Sequence, residues 1–212
     1  MPNSRTPYVL FSFFITILLA GCVPVGLLDR TQQMPSDKEF IYVIGIHPRL
    51  ARVAIFKASI DGGVIGKKGL GSELTVETPE QGFIVGKAKA GDTLAIGSIL
   101  IKRSSDSSLG PFFFPCGGEK TITFSGDAGK VIYFGDVLYK ITNFSYLSFR
   151  SEVDIDAARA FIDENYPNLK GKLVESHFDA TPMMIPCTGT VDPATGFTPR
   201  KLDLNEMLRT KN

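Results

Sequence analysis

The sequence predicts a mainly β protein, an antiparallel β-sandwich with a helix near its C-terminal end. Three observations predict it. Short runs rich in β-branched and aromatic residues recur from Phe40 onward, glycine-rich turns separate them, and after Arg150 the apolar spacing becomes helical. Short strands at regular spacing between turn signals are the pattern of a sandwich or barrel.

Phe40 to Ile46 is continuously apolar or aromatic, apart from Gly45, so it predicts a strand buried on both faces. Arg52 to Ala58 predicts a second strand, and Asp61-Gly62-Gly63 predicts a turn after it. Gly62 to Ser72 reads as a flexible hairpin loop. Glu73 to Thr78 alternates polar and apolar residues, as a half-buried strand does. Gly82 to Lys87 and Thr93 to Ile101 predict further strands, with a turn over Lys89 to Asp92. Lys102 to Gly110 is polar and serine-rich and reads as a loop. The aromatic run Phe112-Phe113-Phe114 is expected to pack into the core as it enters a turn at Pro115-Cys116, with a ligand-facing lip as the other reading. Lys120 to Phe124 and Lys130 to Tyr139 predict two more strands, joined by a turn over Gly126 to Gly129.

After Arg150, Asp154 and Asp156 are positioned to cap a helix whose apolar residues are Ala157, Ala158, Phe161 and Ile162. Asn165-Tyr166-Pro167 ends it. Lys172 to Phe178 reads as a last strand or an irregular return, and Asp203 to Glu206 as the cap of a short terminal helix. The predicted organisation is therefore an N-terminal segment 1–21, a tether 22–39, a β-sandwich 40–150, and a helix with an irregular extension, 151–212, packed on it.

The N-terminal segment carries Arg5, no acidic residue, and an apolar run from Tyr8 to Ala20. A charged start, a short apolar stretch and small residues at its end form a secretory signal. A helix that crosses a bilayer needs roughly 20 apolar residues, and this run is shorter. It ends Leu19-Ala20-Gly21-Cys22. These four residues resemble the lipobox of bacterial lipoproteins. The resemblance implies cleavage between Gly21 and Cys22, lipidation of the Cys22 thiol, and acylation of the new amino terminus by a fatty acid such as palmitate. Small residues let the backbone enter a peptidase, and sulfur is the nucleophile that accepts the diacylglyceryl group. Two or three acyl chains anchor stably, because each buried CH₂ contributes roughly 0.8 kcal/mol. Val23 follows the cysteine. In a Gram-negative cell the absence of Asp there implies the outer membrane, facing the periplasm.

Ala128 to Val137 (AGKVIYFGDV) is similar to a strand of uncharacterised bacterial envelope lipoproteins with a β-sandwich domain. That similarity carries no catalytic role. Tyr133, Gly135 and Asp136 are read as strand packing, a bulge or bend, and a loop-facing polar group.

Removing residues 1–21 from the 212 leaves 191, enough for one domain with an appendage. Only Arg5 among the charged residues is lost, so 22 basic and 22 acidic residues remain. A near-zero charge argues against a nucleic-acid partner. The three cysteines are Cys22, Cys116 and Cys187. With Cys22 lipidated, an even remainder in an exported protein points to a Cys116–Cys187 disulfide; two free thiols or metal ligands are the other readings.

Few residues carry a chemical signature. The stretch from Gly62 lacks the spacing of a phosphate-binding loop, since Asp61 stands where the first glycine belongs and Lys68 follows Lys67. His47 and His177 are the only histidines, and no zinc motif or nucleophile elbow is present. Asp154, Asp156, Asp163 and Glu164 read as helix caps and a solvated face rather than paired catalytic carboxylates. Lys102 with Arg103, like Lys67 with Lys68, reads as a solvated loop. No cofactor, metal or catalytic residue is expected. The expected function is a non-enzymatic binding or structural role in the envelope. It would be exercised from the lipid bilayer through acylated Cys22 and toward an envelope protein or glycan, with the Lys102 to Gly118 loops in contact. The alternative is a hydrolase of peptidoglycan, glycan or lipid.

Overall fold

The computed structural model describes residues 28–107, 110–142 and 146–187. Its first strand explains the rest of the architecture. In β1 (Glu39–His47), side chains alternate between two apolar layers, as strand geometry requires. Phe40, Tyr42, Ile44 and Ile46 enter the core between two sheets. Ile41 and Val43 face the other way, against a helix. Both faces are covered, so the run is apolar throughout.

The other elements are β2 (Ala51–Asp61), β3 (Val64–Glu77), β4 (Phe83–Lys89), β5 (Thr93–Ile101), β6 (Phe112–Phe113), β7 (Glu119–Ser125), β8 (Val131–Thr142), β9 (Tyr146–Glu152), α1 (Ile155–Asn165), β10 (Leu173–Glu175) and β11 (Asp179–Met183). The first sheet runs β10-β8-β1-β4, with β9 also paired to β8. Strand β10 borders Val131 to Tyr133 and β9 borders Asp136 to Thr142, so the two share one long neighbour. The second sheet runs β2-β3-β11-β7-β5-β6, and β2 also pairs β5.

The predicted sandwich with a helix is present, but its sheets are mixed rather than wholly antiparallel. Strands β1 and β8, β8 and β10, and β3 and β11 pair in parallel. Parallel neighbours need a crossover connection. Here the chain leaves the first sheet after β4, builds β5 to β7 in the second, and returns as β8 beside β1.

Five pairings in the second sheet, β2–β3, β3–β11, β11–β7, β7–β5 and β5–β2, close a ring. The closure is narrow: Met183 pairs with Ile65, and the Met184 amide donates to the Ile65 carbonyl at 2.8 Å. Buried Ala58, Ile65, Ala95 and Met183 cluster there, with Leu70, Phe114 and Ile185 packed beside them. This overturns the flexible-loop expectation for Gly62 to Ser72. The turn is confined to Gly62 and Gly63, at φ 56° and 80°, a two-residue hairpin that glycine accommodates. Residues from Val64 onward are strand, and the β2–β3 register shifts three times along them. A Cβ on Gly69 would stand 2.7 Å from the Ser59 carbonyl oxygen, so the glycine permits the strands' close approach.

Asp154 caps α1, its carboxylate accepting from the Ala157 amide at 3.0 Å. Ala158, Phe161 and Ile162 are buried, whereas Ala157, expected on the same apolar face, is exposed. Phe161 stacks on Phe83 with ring centroids 4.9 Å apart. A tight 3-10 turn, Pro167–Leu169, follows. Strands β9 and β11 were not anticipated. In the Phe112 to Phe114 run, Phe113 is fully buried in the core, and Phe112 and Phe114 are half-buried. The described part of the expected tether lies along the domain. Leu28 packs on the helix-side core, Pro35 is buried, Arg30 pairs with Glu80, and Asn168 donates to the Thr31 carbonyl at 3.0 Å. The expected cap at Asp203 to Glu206 lies outside the described residues.

Cys116 and Cys187 are joined as a disulfide across 71 residues. The amides of Gly117 and Gly118 donate to the carbonyls of Ile185 and Met183, at 2.7 and 2.9 Å. The bridge thus holds β11, and with it the closure of the ring. Replacing both cysteines by serine is expected to lower unfolding free energy by roughly 4 kcal/mol in the chain-entropy account. Denaturant unfolding of oxidised wild type against the double variant measures it; equal midpoints would show that the ring closes without the bridge.

Candidate functional site

Two places gather polar groups. One lies where β8 passes β1. Gly135 adopts φ 110° and the β1–β8 register shifts between Val43 and Gly45, a local bulge. The bulge turns Asp136 onto the helix side, since Phe134 and Val137 both enter the inter-sheet core. Asp136 is only 7% exposed, and its Oδ1 has no hydrogen-bond partner. That oxygen occupies the space of a side chain on Gly45: a Cβ there would lie 1.4 Å from it. The sequence reading of Asp136 as loop-facing is therefore corrected; it is a strand residue inside the packed layer. The expectations for Tyr133 and Gly135 agree with what is seen. Tyr133 is fully buried and its hydroxyl accepts from the Asp154 amide at 3.1 Å.

Burial holds the Asp136 carboxyl above the ordinary carboxylate range, with the negative charges of Asp154 and Glu152 pushing the same way. The Tyr133 hydroxyl and the charge of His47 act against it. Burial likewise raises the Tyr133 phenol. This arrangement can hold a proton, but the protein's own elements cover it.

The second place is a cleft of about 370 Å³ over the outer face of the second sheet, lined by Arg52, Thr78, Leu100, Lys102 and Ser105 to Ser107, among others. The β2–β5 register sets Arg52 opposite Leu100, and the Lys102 amide donates to the Leu50 carbonyl at 3.1 Å. Arg52 and Lys102 are consequently diagonal neighbours on one face. Val53, Ile99 and Ile101 point inward to the core. Glu77 also borders the cleft, but its carboxylate accepts from Thr75 at 3.1 Å and acts on the core phenol of Tyr42.

The other residues singled out in the sequence are dispersed. Gly21 and Cys22 lie outside the described residues. Cys116 and Cys187 are bridged. His47 sits near Asp136, while His177 is exposed between β10 and β11. The helix carboxylates have structural partners: Asp154 caps, Asp156 pairs with Arg159 at 3.2 Å, and Asp163 accepts from the Gly171 amide at 3.0 Å. Among the described residues, no three His, Cys, Asp or Glu side chains group to hold a metal ion, and no helix is long and apolar enough to cross a membrane. Sequence reading missed the joining of Arg52 to Lys102, because a strand register carries that contact and no local motif signals it.

No protein-family model matches the chain, and no match to it is found among curated proteins or solved structures.

Asp136 generates a pH prediction. Its folded-state affinity for a proton exceeds that of the unfolded chain. Its stabilising contribution is therefore full below the unfolded carboxyl's range and is lost as pH rises through the folded value. Asp136→Asn is expected to melt above wild type near about pH 7, with the gap closing toward about pH 3–4. Thermal melts across that range measure it. An Asn variant that melts lower near neutrality would mean the fold depends on the ionised carboxylate.

Proposed function

We propose that this chain is a lipoprotein of the bacterial cell envelope with a non-enzymatic binding or structural role. The observation that carries the reading is Leu19-Ala20-Gly21-Cys22 at the end of a short apolar run. The Cys116–Cys187 bridge supports it, because it uses the other two cysteines and suits an oxidising compartment. Acyl chains on Cys22 hold the domain to the bilayer, on the outer membrane facing the periplasm in a Gram-negative host.

Five residues, Val23 to Leu27, separate Cys22 from Leu28, the first described residue against the domain, so the chain makes six steps between them. Fully extended, those six steps reach about 20 Å. The domain therefore works close to the membrane surface, where an envelope protein or glycan meets it.

Separation of the two polar places supports binding over hydrolysis. A hydrolase brings a proton-holding group and a substrate cleft together. Here Asp136 is covered within the first sheet, and the cleft lies on the outer face of the second.

Expression in a bacterial host followed by detergent phase partitioning tests the anchor. The wild-type chain is expected in the detergent phase and Cys22→Ser in the aqueous phase. Wild type in the aqueous phase, or Cys22→Ser still in the detergent phase, would overturn the lipoprotein reading.

A further inference from the structure

The cleft on the second sheet is lined by two cations, Arg52 and Lys102, and two acids, Glu77 and Asp106, and among the described residues neither cation is ion-paired with either acid. Arg52 and Lys102 are diagonal neighbours across the β2–β5 ladder. Side chains in that relation stand about 7–8 Å apart at their bases, within common reach of one small anion. Neither forms an ion pair among the described residues, although six other pairs form on this surface. Asp106 at the rim engages its neighbour instead, accepting from Ser105 Oγ at 2.9 Å. Glu77 accepts from Thr75 Oγ1 at 3.1 Å.

Beside the two cations, Thr78 supplies a hydroxyl, and Val76 and Leu100 supply an apolar floor. Lys102 is half-buried, which reduces the screening of its charge by water. Adjacent like charges on one sheet face repel each other, and an anion seated between them removes that cost. The guanidinium offers a planar fork suited to two oxygens, and the ammonium a second point charge. The Thr78 hydroxyl reaches a remaining oxygen, and the floor accepts a short carbon chain.

We infer that the cleft formed by Arg52, Lys102, Thr78 and the Ser105 to Ser107 loop is a binding site for a phosphate-type anion, free or carried on a glycerol-like headgroup. This deepens the binding role proposed above and names its ligand class. It does not depend on the anchor, because the cleft is built without Cys22; failure of the lipid assay and failure of this site are separate results.

The test is an amide NMR titration of the mature chain, in detergent if acylated, at constant ionic strength. The probes are inorganic phosphate, glycerol phosphate and chloride. Phosphate is expected to shift the amides of Arg52, Lys102 and Ser105 to Ser107 saturably, with Kd on the order of 1 mM. Arg52→Gln and Lys102→Gln are each expected to weaken it about tenfold, while Lys102→Arg retains binding. Arg52 is exposed and Lys102 half-buried at the cleft, and the unchanged remainder of each spectrum reports that the variant is folded. Tighter binding of glycerol phosphate assigns the headgroup as the source, and equal binding assigns free phosphate; either supports the site. Equal shifts with chloride, no saturation, or undiminished affinity in the Gln variants would overturn it.

Discussion

The fold depends on one constraint: β1 must be apolar on both faces and paired on both edges. Its inward residues Phe40, Tyr42, Ile44 and Ile46 complete the inter-sheet core, and Ile41 and Val43 complete the helix-side core. Each such side chain contributes roughly 1.5–3 kcal/mol by leaving water. Because alternate residues belong to different layers, neither layer forms without positioning the other. The β4 and β8 ladders lock the strand laterally. The helix, the second sheet and the approach of residues 28–38 are all referred to this strand. Even the buried Asp136 carboxylate exists on its terms, since it occupies the space that Gly45 leaves.

Much of this was legible in the sequence, and the limits are physical. Thr93 to Ile101 was read with its observed bounds because apolar residues are flanked by turn residues on one side and a serine-rich loop on the other. The Asp154 cap was legible because capping is local. The glycines near Gly69 misled, because glycine marks both loops and strands that another backbone approaches closely. Strand β11 was missed because Asp179-Ala180-Thr181-Pro182-Met183 has little β character. Its place is set by β7 and the disulfide, partners distant in sequence. The parallel pairings follow from the order in which the chain visits the two sheets, and no periodicity encodes that order.

The same division holds for function. The lipobox resemblance and the cysteine count are short-range signals and could be read directly. The Arg52–Lys102 pairing and the burial of Asp136 arise from register and from a bulge, so composition at those positions was uninformative. A basic dipeptide such as Lys102-Arg103 reads as solvated until a second strand brings another cation beside it. The envelope reading and the cleft reading then fit one picture. In the proposed reading, a short leash holds the disulfide-closed domain near the membrane, and the domain presents the cleft of Arg52 and Lys102.

Native-state hydrogen exchange tests the central claim about β1 most directly. The account predicts that the amides of Ile41, Val43 and their β8 partners exchange only through global unfolding. It also predicts that α1 opens at lower free energy, since one face of it is solvated. Exchange of the β1 amides at or below the free energy of α1 opening would contradict the account, because the strand shared by both layers would not be the one that holds them together.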